Sequence, residues 1–206
     1  NCGVSCGIIS GEQTRLAITR RLAAIAGEVN IQRMKTGQLL DDEWGKLTKA
    51  AEVITDRFQI FDASRPSINQ IEREARAMGY RHGIEVLFVD YLQLIHNSNY
   101  PNDRRLQIAD ISARLKAIAR DLQIAVVTLA QLNRGAVDKT PRISDLKESG
   151  AIEEDADQII LLYQEKDRPN NEITFDVQKN REGVTGPTHV LWIPEKMTFR
   201  SLSNEY

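Results

Sequence analysis

The stretch that decides the fold is Val-Leu-Phe-Val-Asp at residues 86–90, in which four consecutive apolar residues are followed by a carboxylate. A short, continuous apolar run is typical of a strand that is buried on both faces of a parallel sheet. Residues 124–129 form a second such run, which ends just before Gln131. Residues 4–9 form a third, followed by Ser-Gly-Glu-Gln at 10–13. We therefore predict three parallel strands, each followed by polar residues.

Helical patterns separate these apolar runs. Apolar residues recur at intervals of three and four, which predicts helices over residues 13–26, 42–55, 67–79 and 103–122. A polar loop over residues 133–147 leads to a further short helix. Further strands are predicted at residues 58–61, 158–163, 172–177 and 189–193 and around Phe199. The last three alternate between apolar and polar residues, as antiparallel edge strands do. The fold class is therefore α/β, with a mostly parallel central sheet, helices on both faces and antiparallel C-terminal edge strands.

Length and composition limit the class of protein. The 206 residues suffice for one sizeable core, and no repeat or Gly/Ser linker divides them, so we expect a single domain over residues 1–206. Hydrophobic residues make up 41% and charged residues 27%, which excludes a disordered chain, a fibre and a disulfide scaffold. No apolar run reaches the roughly 20 residues that a membrane span requires. We expect a cytoplasmic protein without a membrane partner.

Three polar side chains follow the three apolar strands. Ligands of open α/β sheets bind beyond the carboxyl ends of the strands, so we expect Glu12, Asp90 and Gln131 to converge on one edge. This set suits a nucleotide site in which Asp90 holds Mg²⁺ through water, Glu12 polarises the attacking water and Gln131 senses the γ-phosphate. Each residue also has a simpler interpretation: Asp90 as a turn residue, Glu12 as a helix-start charge and Gln131 as a satisfied polar residue.

Longer motifs carry a resemblance to a known family. They are Val-Asp-Tyr-Leu-Gln-Leu-Ile (89–95), Leu-Lys-Ala-Ile-Ala-Arg-Asp-Leu (115–122), Ala-Gln-Leu-Asn-Arg (130–134), Ser-Asp-Leu-Lys-Glu-Ser-Gly-Ala-Ile-Glu-Glu-Asp-Ala-Asp (144–157), Thr-Gly-Gln-Leu (36–39) and Lys-Asn-Arg-Glu-Gly (179–183). Together they resemble the C-terminal motor domain of DnaB-type replicative helicases, in order and over essentially the whole chain. The resemblance implies a three-layer RecA-like core that assembles into homo-hexameric rings, uses ATP and Mg²⁺, and moves along single-stranded DNA. It also implies a primase and a helicase loader as partners, in the cytoplasm of a bacterium or of a phage-infected cell.

The resemblance implies roles for single residues at the nucleotide. Glu12 stands where the family has its catalytic glutamate, Asp90 is the Mg²⁺-site aspartate, and Gln131 is the phosphate-sensing glutamine. Lys179 and Arg181 match the basic pair that reaches into the nucleotide of the neighbouring subunit.

A second set of residues is expected to face DNA. The formal net charge is −2, from 27 basic and 29 acidic residues, which gives no indication of nonspecific affinity for nucleic acid. A ring can nevertheless concentrate a few positive groups in its central channel. The resemblance places Lys147, Glu148 and Gly150 in the loop that faces DNA there.

Two departures from the family pattern keep alternatives open. The turn around Glu12 reads Ser-Gly-Glu-Gln where the family usually has Ser-Leu-Glu-Met, a form similar to RadA-type recombination and repair ATPases. No phosphate-binding loop of the form G-x-x-x-x-G-K-[ST] occurs in the 206 residues. The chain is therefore expected to begin after that loop, without the family's N-terminal domain and linker helix, and to bind and hydrolyse ATP poorly by itself. A RadA-like ATPase and a non-catalytic DNA-binding or assembly module remain alternatives to the helicase motor.

Overall fold

The computed structural model of the chain describes residues 3–133, 139–146 and 149–202. The chain divides into two compact units. Unit 1 comprises Asn1–Thr19, Glu52–Gln131 and Leu146–Asp155, and unit 2 comprises Arg20–Ala51, Leu132–Asp145 and Ala156–Tyr206. The single domain over residues 1–206 stays a prediction. Within the described ranges, no helix combines the length and the apolar character that a membrane crossing needs.

The elements follow the predicted alternation of strands and helices. The strands are β1 (Cys6–Ser10), β2 (Phe58–Asp62), β3 (Val86–Asp90), β4 (Ala125–Thr128), β5 (Gln158–Tyr163), β6 (Glu172–Asn180), β7 (Gly186–Ile193) and β8 (Thr198–Ser201). The helices are α1 (Arg15–Ala26), α2 (Ile31–Thr36), α3 (Asp41–Arg57), α4 (Ile68–His82), α5 (Arg104–Leu122) and α6 (Ser149–Asp155). The predicted elements are present with their ends shifted by a few residues, and α2 is an addition to them.

The sheet of unit 1 is parallel throughout, in the order β2-β1-β3-β4. Ser10, the last residue of β1, is in register with Asp62 of β2 and with Asp90 of β3. Three strands therefore end level with one another, and we refer to this side of the sheet as the carboxyl edge. The predicted α/β class with a parallel central sheet is confirmed.

Helices α4 and α5 cover one face of the sheet of unit 1, the face on which Ile9, Leu87 and Val89 lie. A capping box begins α4, in which the Ser67 hydroxyl accepts from the main-chain N–H of Gln70 and the Gln70 side chain accepts from that of Ser67. The start of α5 has a single side-chain cap, in which the Asp103 carboxylate accepts from the main-chain N–H of Leu106. The two helices and the strands enclose one apolar core, whose fully buried members are Ile9, Ile68, Ile71, Ala75, Leu87, Val89, Ile95, Ile108, Ile111 and Ile118.

The sheet of unit 2 is antiparallel, in the order β5-β6-β7-β8. The antiparallel C-terminal strands are thus as predicted, but in the described residues they hydrogen-bond with one another as a separate sheet that includes β5. Phe199 packs edge-on against Phe175 at 5.2 Å between ring centroids, and its ring is tilted by 44° against that of Trp192 at 4.7 Å. These cross-strand aromatic contacts help to fix the register of β6, β7 and β8.

Helix α2 also belongs to unit 2 and has strong local signals at both ends. The Asn30 side chain accepts from the main-chain N–H groups of Gln32 and Arg33, and Gly37 ends the helix in the left-handed region at φ 72°. The main-chain N–H of Ile31 donates to the Glu195 carbonyl at 2.9 Å, which joins this segment to the turn between β7 and β8.

Candidate functional site

The carboxyl edge of unit 1 brings the ends of distant chain segments together. Beyond the end of β1, the main-chain N–H of Gly11 donates to the Asp90 carbonyl at 2.7 Å. On the other side of β1, the N–H of Ala63 donates to the Ser10 carbonyl at 3.1 Å. The turn that carries Glu12 is therefore hydrogen-bonded to the end of β3, and the structure places Glu12 and Asp90 at one edge, as the sequence predicts.

The turn that presents Glu12 is short and well held. The buried Ser10 hydroxyl accepts from the main-chain N–H of Gln13 at 2.9 Å, and the Asp62 carboxylate accepts from that of Arg15 at 2.8 Å. The Glu12 side chain itself is exposed. A carboxylate on a fixed main chain, open to solvent, can accept a proton from a water molecule placed against it.

Gly11, at which this turn departs from the usual family pattern, is closely packed. A Cβ atom at this position would lie 3.2 Å from Cβ of Leu94 and 3.3 Å from Cδ of Pro66. These contacts are tighter than ordinary van der Waals packing, so a leucine here would require the Leu94 turn to move. The small residue thus fits the local packing of unit 1.

Gln131 reaches the same edge through β4. The main-chain N–H of Leu129 donates to the Val89 carbonyl at 3.0 Å, and the N–H of Leu92 donates to the Leu129 carbonyl at 2.9 Å. The N–H of Gln131 then donates to Oε1 of Gln93 at 3.1 Å. The structure therefore brings Gln131, with an exposed side chain, beside the turn that follows the half-buried Asp90.

The polar atoms of the carboxyl edge fit a nucleotide with its metal ion better than a metal held by protein alone. Among the described residues, no group of three or more His, Cys, Asp or Glu side chains could hold a metal ion. Mg²⁺ in nucleotide sites needs only one or two carboxylates, because phosphate and water supply the other ligands. A buried side-chain atom at this edge, Oε1 of Gln13, has no hydrogen-bond partner in the described structure. An unpaired polar atom in the turn that is hydrogen-bonded to the end of β3 suits a polar ligand.

Lys179 and Arg181 lie in unit 2, at the end of β6. Lys179 is half-buried and pairs with Ile159 of β5, and Arg181 is exposed in the turn that follows. The main-chain N–H of Arg181 donates to the Asp157 carbonyl at 3.0 Å, and its guanidinium contacts the Asp157 carboxylate at 3.3 Å. Both side chains of this ion pair are about half exposed, at 49% and 60%, so the pair is weak. The guanidinium can therefore leave Asp157 and pair with another anion.

The predicted DNA loop is only partly described. Lys147 and Glu148 lie outside the described residues. Gly150 is the second residue of α6 and is exposed, and a Cβ atom there would meet nothing within 4 Å. No packing inside the described chain therefore accounts for the glycine, and its close approach to DNA stays a prediction.

Asp145, which precedes these residues in the sequence, makes several hydrogen bonds within unit 2. Its carboxylate accepts from Nζ of Lys139 at 2.7 Å and from the main-chain N–H of Arg142 at 2.9 Å. Its carbonyl accepts from the N–H of Asn133 at 2.7 Å. The hydrogen bond from Lys139, followed by that from the main chain of Arg142, lowers the pKa of Asp145 below its ordinary value.

The sequence did not predict the contacts of four residues, which are Asp62, Gln93 and Arg104 in unit 1 and Asp145 in unit 2. Asp62 directly follows the strand predicted at residues 58–61, so the rule that found Asp90 also finds Asp62 once that strand is included. Gln93 and Arg104 act through hydrogen bonds to main-chain groups of turns, and Asp145 acts through a hydrogen bond from a lysine side chain. No spacing rule reveals such contacts. Gln93 does carry a weaker signal, because it lies three residues after Asp90 in the same apolar motif.

Comparison with known sequences identifies relatives along most of the chain. The sequence profile of the family described as "DnaB-like helicase C terminal domain" matches residues 2–201. The chain is 34% identical to the replicative DNA helicase DnaC of Bacillus subtilis, over 98% of this chain and 47% of that protein. It is 39% identical to the replicative DNA helicase DnaB of Rickettsia prowazekii, over 79% of this chain and 34% of that protein. The chain thus spans at most about half the length of these two relatives.

Solved structures give the same relationship at the level of the fold. A DnaB-like replicative helicase, described with its interactions with primase, superposes with a TM-score of 0.88 at 31% identity, over 97% of this chain and 51% of that one. A second structure, described as an ATPase domain, also gives 0.88 at 31% identity, over 97% and 75%. A KaiC-like protein of Pyrococcus horikoshii, at 14% identity and a TM-score of 0.60, shares the fold alone. The RecA-like fold is confirmed.

Proposed function

The chain belongs to the family of DnaB-like helicase C-terminal domains, and from this premise we propose that it is the ATP-hydrolysing motor of a replicative DNA helicase. The motor works as a homo-hexameric ring that moves along single-stranded DNA and unwinds the duplex. The observation that carries the proposal is the level alignment of Ser10, Asp62 and Asp90, which brings Glu12 beside the end of β3.

At the carboxyl edge, each predicted residue has a separate role. Bound ATP with Mg²⁺ would supply the phosphoryl group and the cation that neutralises its charge. Asp90 orients the hydrated cation, and the exposed Glu12 carboxylate orients a water molecule and accepts its proton. Gln131, held at its main chain by Gln93, offers a side-chain amide to the phosphate.

The phosphate-binding loop is not among the 206 residues. We propose that it lies in a preceding part of the same protein, as does the N-terminal domain, since the curated relatives are about twice as long as the part matched here. Functional assays therefore require the full-length protein, and the chain alone is expected to bind and hydrolyse ATP poorly.

Lys179 and Arg181 serve the nucleotide of a neighbouring subunit in this proposal. They belong to unit 2 and lie at and just after the end of an antiparallel strand, apart in the sequence from every residue of the carboxyl edge. A guanidinium in a weak, exposed ion pair can exchange Asp157 for a phosphate. An arginine supplied in this way stabilises the charge of the transition state.

Single-stranded DNA is the proposed substrate of the loop with Lys147, Glu148 and Gly150. Lys147→Ala should weaken binding equally for all sequences and reduce the salt slope by about one unit for each subunit engaged. The check is a titration of fluorescent oligonucleotides at several salt concentrations, with Lys166→Ala on the exposed side of unit 2 as control. An effect limited to one sequence, or none, contradicts a phosphate contact at Lys147.

Primase and a helicase loader are the proposed protein partners, and the bacterial cytoplasm is the proposed location. One structural neighbour is described with its interactions with primase, which supports the first of these. The relatives named here are replicative helicases, which favours this function over a RadA-like recombination ATPase and over a non-catalytic module.

The deciding experiment measures two activities of the full-length protein. We expect ATP hydrolysis that single-stranded DNA stimulates, and ATP-dependent unwinding of a forked duplex. Hydrolysis without unwinding would support the RadA-like alternative, and DNA binding without hydrolysis would support the non-catalytic module.

A further inference from the structure

Gln93 continues the β3–β4 ladder at a point where the main chain no longer can. The last residue pair of the ladder is Val89 with Thr128, and β3 then turns away. Beyond it, the Gln93 side chain takes the place of a main-chain carbonyl, since its Oε1 accepts from the N–H of Gln131 at 3.1 Å. The main chain at Gln131 is therefore held by a side chain, two residues after Leu129, where main-chain hydrogen bonds to Val89 and Leu92 are still made.

The Gln93 turn is itself anchored from the other side. Arg104, the first residue of α5, donates from Nη2 to the Gln93 carbonyl at 2.7 Å and from Nη1 to the Ile95 carbonyl at 3.3 Å. Nη1 also donates to Oε1 of Gln107, a buried residue of the same helix, at 2.9 Å. The chain of contacts thus runs from the core helix through Arg104 and Gln93 to Gln131.

The amide of Gln93 is costly to the fold. Its Nε2 is buried and has no partner in the described structure. A buried donor without a partner lowers stability, and a methionine of similar length would remove that donor. The Gln93 side chain therefore lowers the stability of the fold through its buried Nε2, and the hydrogen bond that it makes in the described structure is the one that Oε1 accepts from Gln131.

We propose that Gln93 is a positioning residue, whose side-chain carbonyl fixes the main chain at Gln131 and so places the Gln131 amide for ATP hydrolysis. The inference rests on the proposed function, because it takes the role of Gln131 from it.

The test compares Gln93→Met, which removes both the acceptor and the unpaired donor, with Gln93→Glu, which keeps the acceptor. In the full-length protein, Gln93→Met should lower kcat by about five- to tenfold, the equivalent of one hydrogen bond, with KM for ATP unchanged. The Tm should be equal to or higher than that of the parent protein. Gln93→Glu should restore most of kcat.

A structural control comes from Gln70, whose amide completes the capping box of α4. Gln70→Met should lower the Tm and leave kcat unchanged. The opposite response of the two glutamines separates positioning from folding. A lower Tm in Gln93→Met together with an unchanged kcat would reduce Gln93 to a structural residue.

A measurement without nucleotide tests the hydrogen bond directly. Hydrogen exchange of the main-chain N–H of Gln131 should be faster in Gln93→Met than in the parent protein. In Gln93→Glu it should be as slow as in the parent protein. Unchanged protection in Gln93→Met overturns the inference.

Gln131→Ala distinguishes a failure of the proposed role of Gln131 from a failure of the inference about Gln93. If Gln131→Ala hydrolyses ATP normally, the proposed role of Gln131 is wrong, and with it the catalytic consequence of Gln93. If Gln131→Ala is impaired and Gln93→Met is not, only the inference about Gln93 is wrong.

Discussion

The two sheets place the proposed site residues by opposite routes. In unit 1, Ser10, Asp62 and Asp90 are far apart in sequence and become level because parallel strands end at one edge. In unit 2, Lys179 and Arg181 are neighbours on one antiparallel strand and its turn. The first arrangement depends on the buried core of unit 1, and the second depends on local chain geometry.

This difference predicts which substitutions disturb several proposed site residues together and which remove one side chain alone. Loss of packing in unit 1 disturbs several residues of the carboxyl edge together, because they are linked by main-chain hydrogen bonds. Loss of one basic side chain in unit 2 leaves its own sheet intact. Variants of unit 2 should therefore lose activity without losing stability.

The largest effect is expected for Arg181→Ala. The variant should keep its fold, ring assembly and ATP binding, and lose hydrolysis by roughly 10³- to 10⁵-fold, since an arginine supplied in trans stabilises transition-state charge. The measurement is steady-state ATP hydrolysis of the full-length protein. Arg200→Ala, another exposed arginine of unit 2 in an ion pair, is the matched control and should hydrolyse ATP normally.

Mixing two inactive variants tests whether Arg181 acts in trans. A ring that contains both Arg181→Ala and Glu12→Gln subunits has some interfaces with an intact Glu12 on one side and an intact Arg181 on the other. Partial hydrolysis should then return. If mixed rings form and stay inactive, Arg181 does not act across the subunit interface.

A core substitution tests the dependence of unit 1 on packing. Leu87 of β3 is fully buried, and Leu87→Ala should lower the free energy of unfolding by about 2–5 kcal/mol through lost burial and a residual cavity. Val184→Ala, at a residue 89% exposed in unit 2, should change it by less than about 0.5 kcal/mol. Urea unfolding measures both values, and similar values for the two variants would contradict the role of Leu87 in the packing of unit 1.

Glu12→Gln separates chemistry from binding at the carboxyl edge. The amide cannot accept a proton from water, so turnover should fall by on the order of 10²-fold or more while ATP binding is retained. Fluorescent-nucleotide binding and single-turnover hydrolysis measure the two quantities, with Glu52→Gln on the exposed side of α3 as control. A rate close to that of the parent protein returns Glu12 to the role of a helix-start charge.

The contrast between the sheets also explains what the sequence could reveal. Strongly apolar strands predict a parallel sheet, and the rule that polar residues follow such strands finds Glu12, Asp90 and Gln131 together. Gln93 and Arg104 were not predictable, because their roles depend on how a turn folds back against a helix.

Helix α2 and the two units could not be predicted from the sequence for other reasons. Six residues are too few to show a helical period, so α2 is defined only by its caps at Asn30 and Gly37. The division into units follows spatial contacts that cross the chain several times, and no linker marks it.

The smallest effect concerns Asp145, whose contacts belong to unit 2. Because the hydrogen bond from Lys139 lowers the pKa of Asp145, the carboxylate stabilises the fold above the ordinary aspartate pKa of about 3.9 and loses that effect as the pH falls through the lowered value. Asp145→Asn should therefore reduce the acid dependence of the free energy of unfolding below about pH 5. Urea unfolding at a series of pH values measures this slope. Lys139→Met removes the main cause of the shift and should reduce the slope in the same way, whereas a slope equal to that of the parent protein in both variants would show that the contact does not stabilise unit 2.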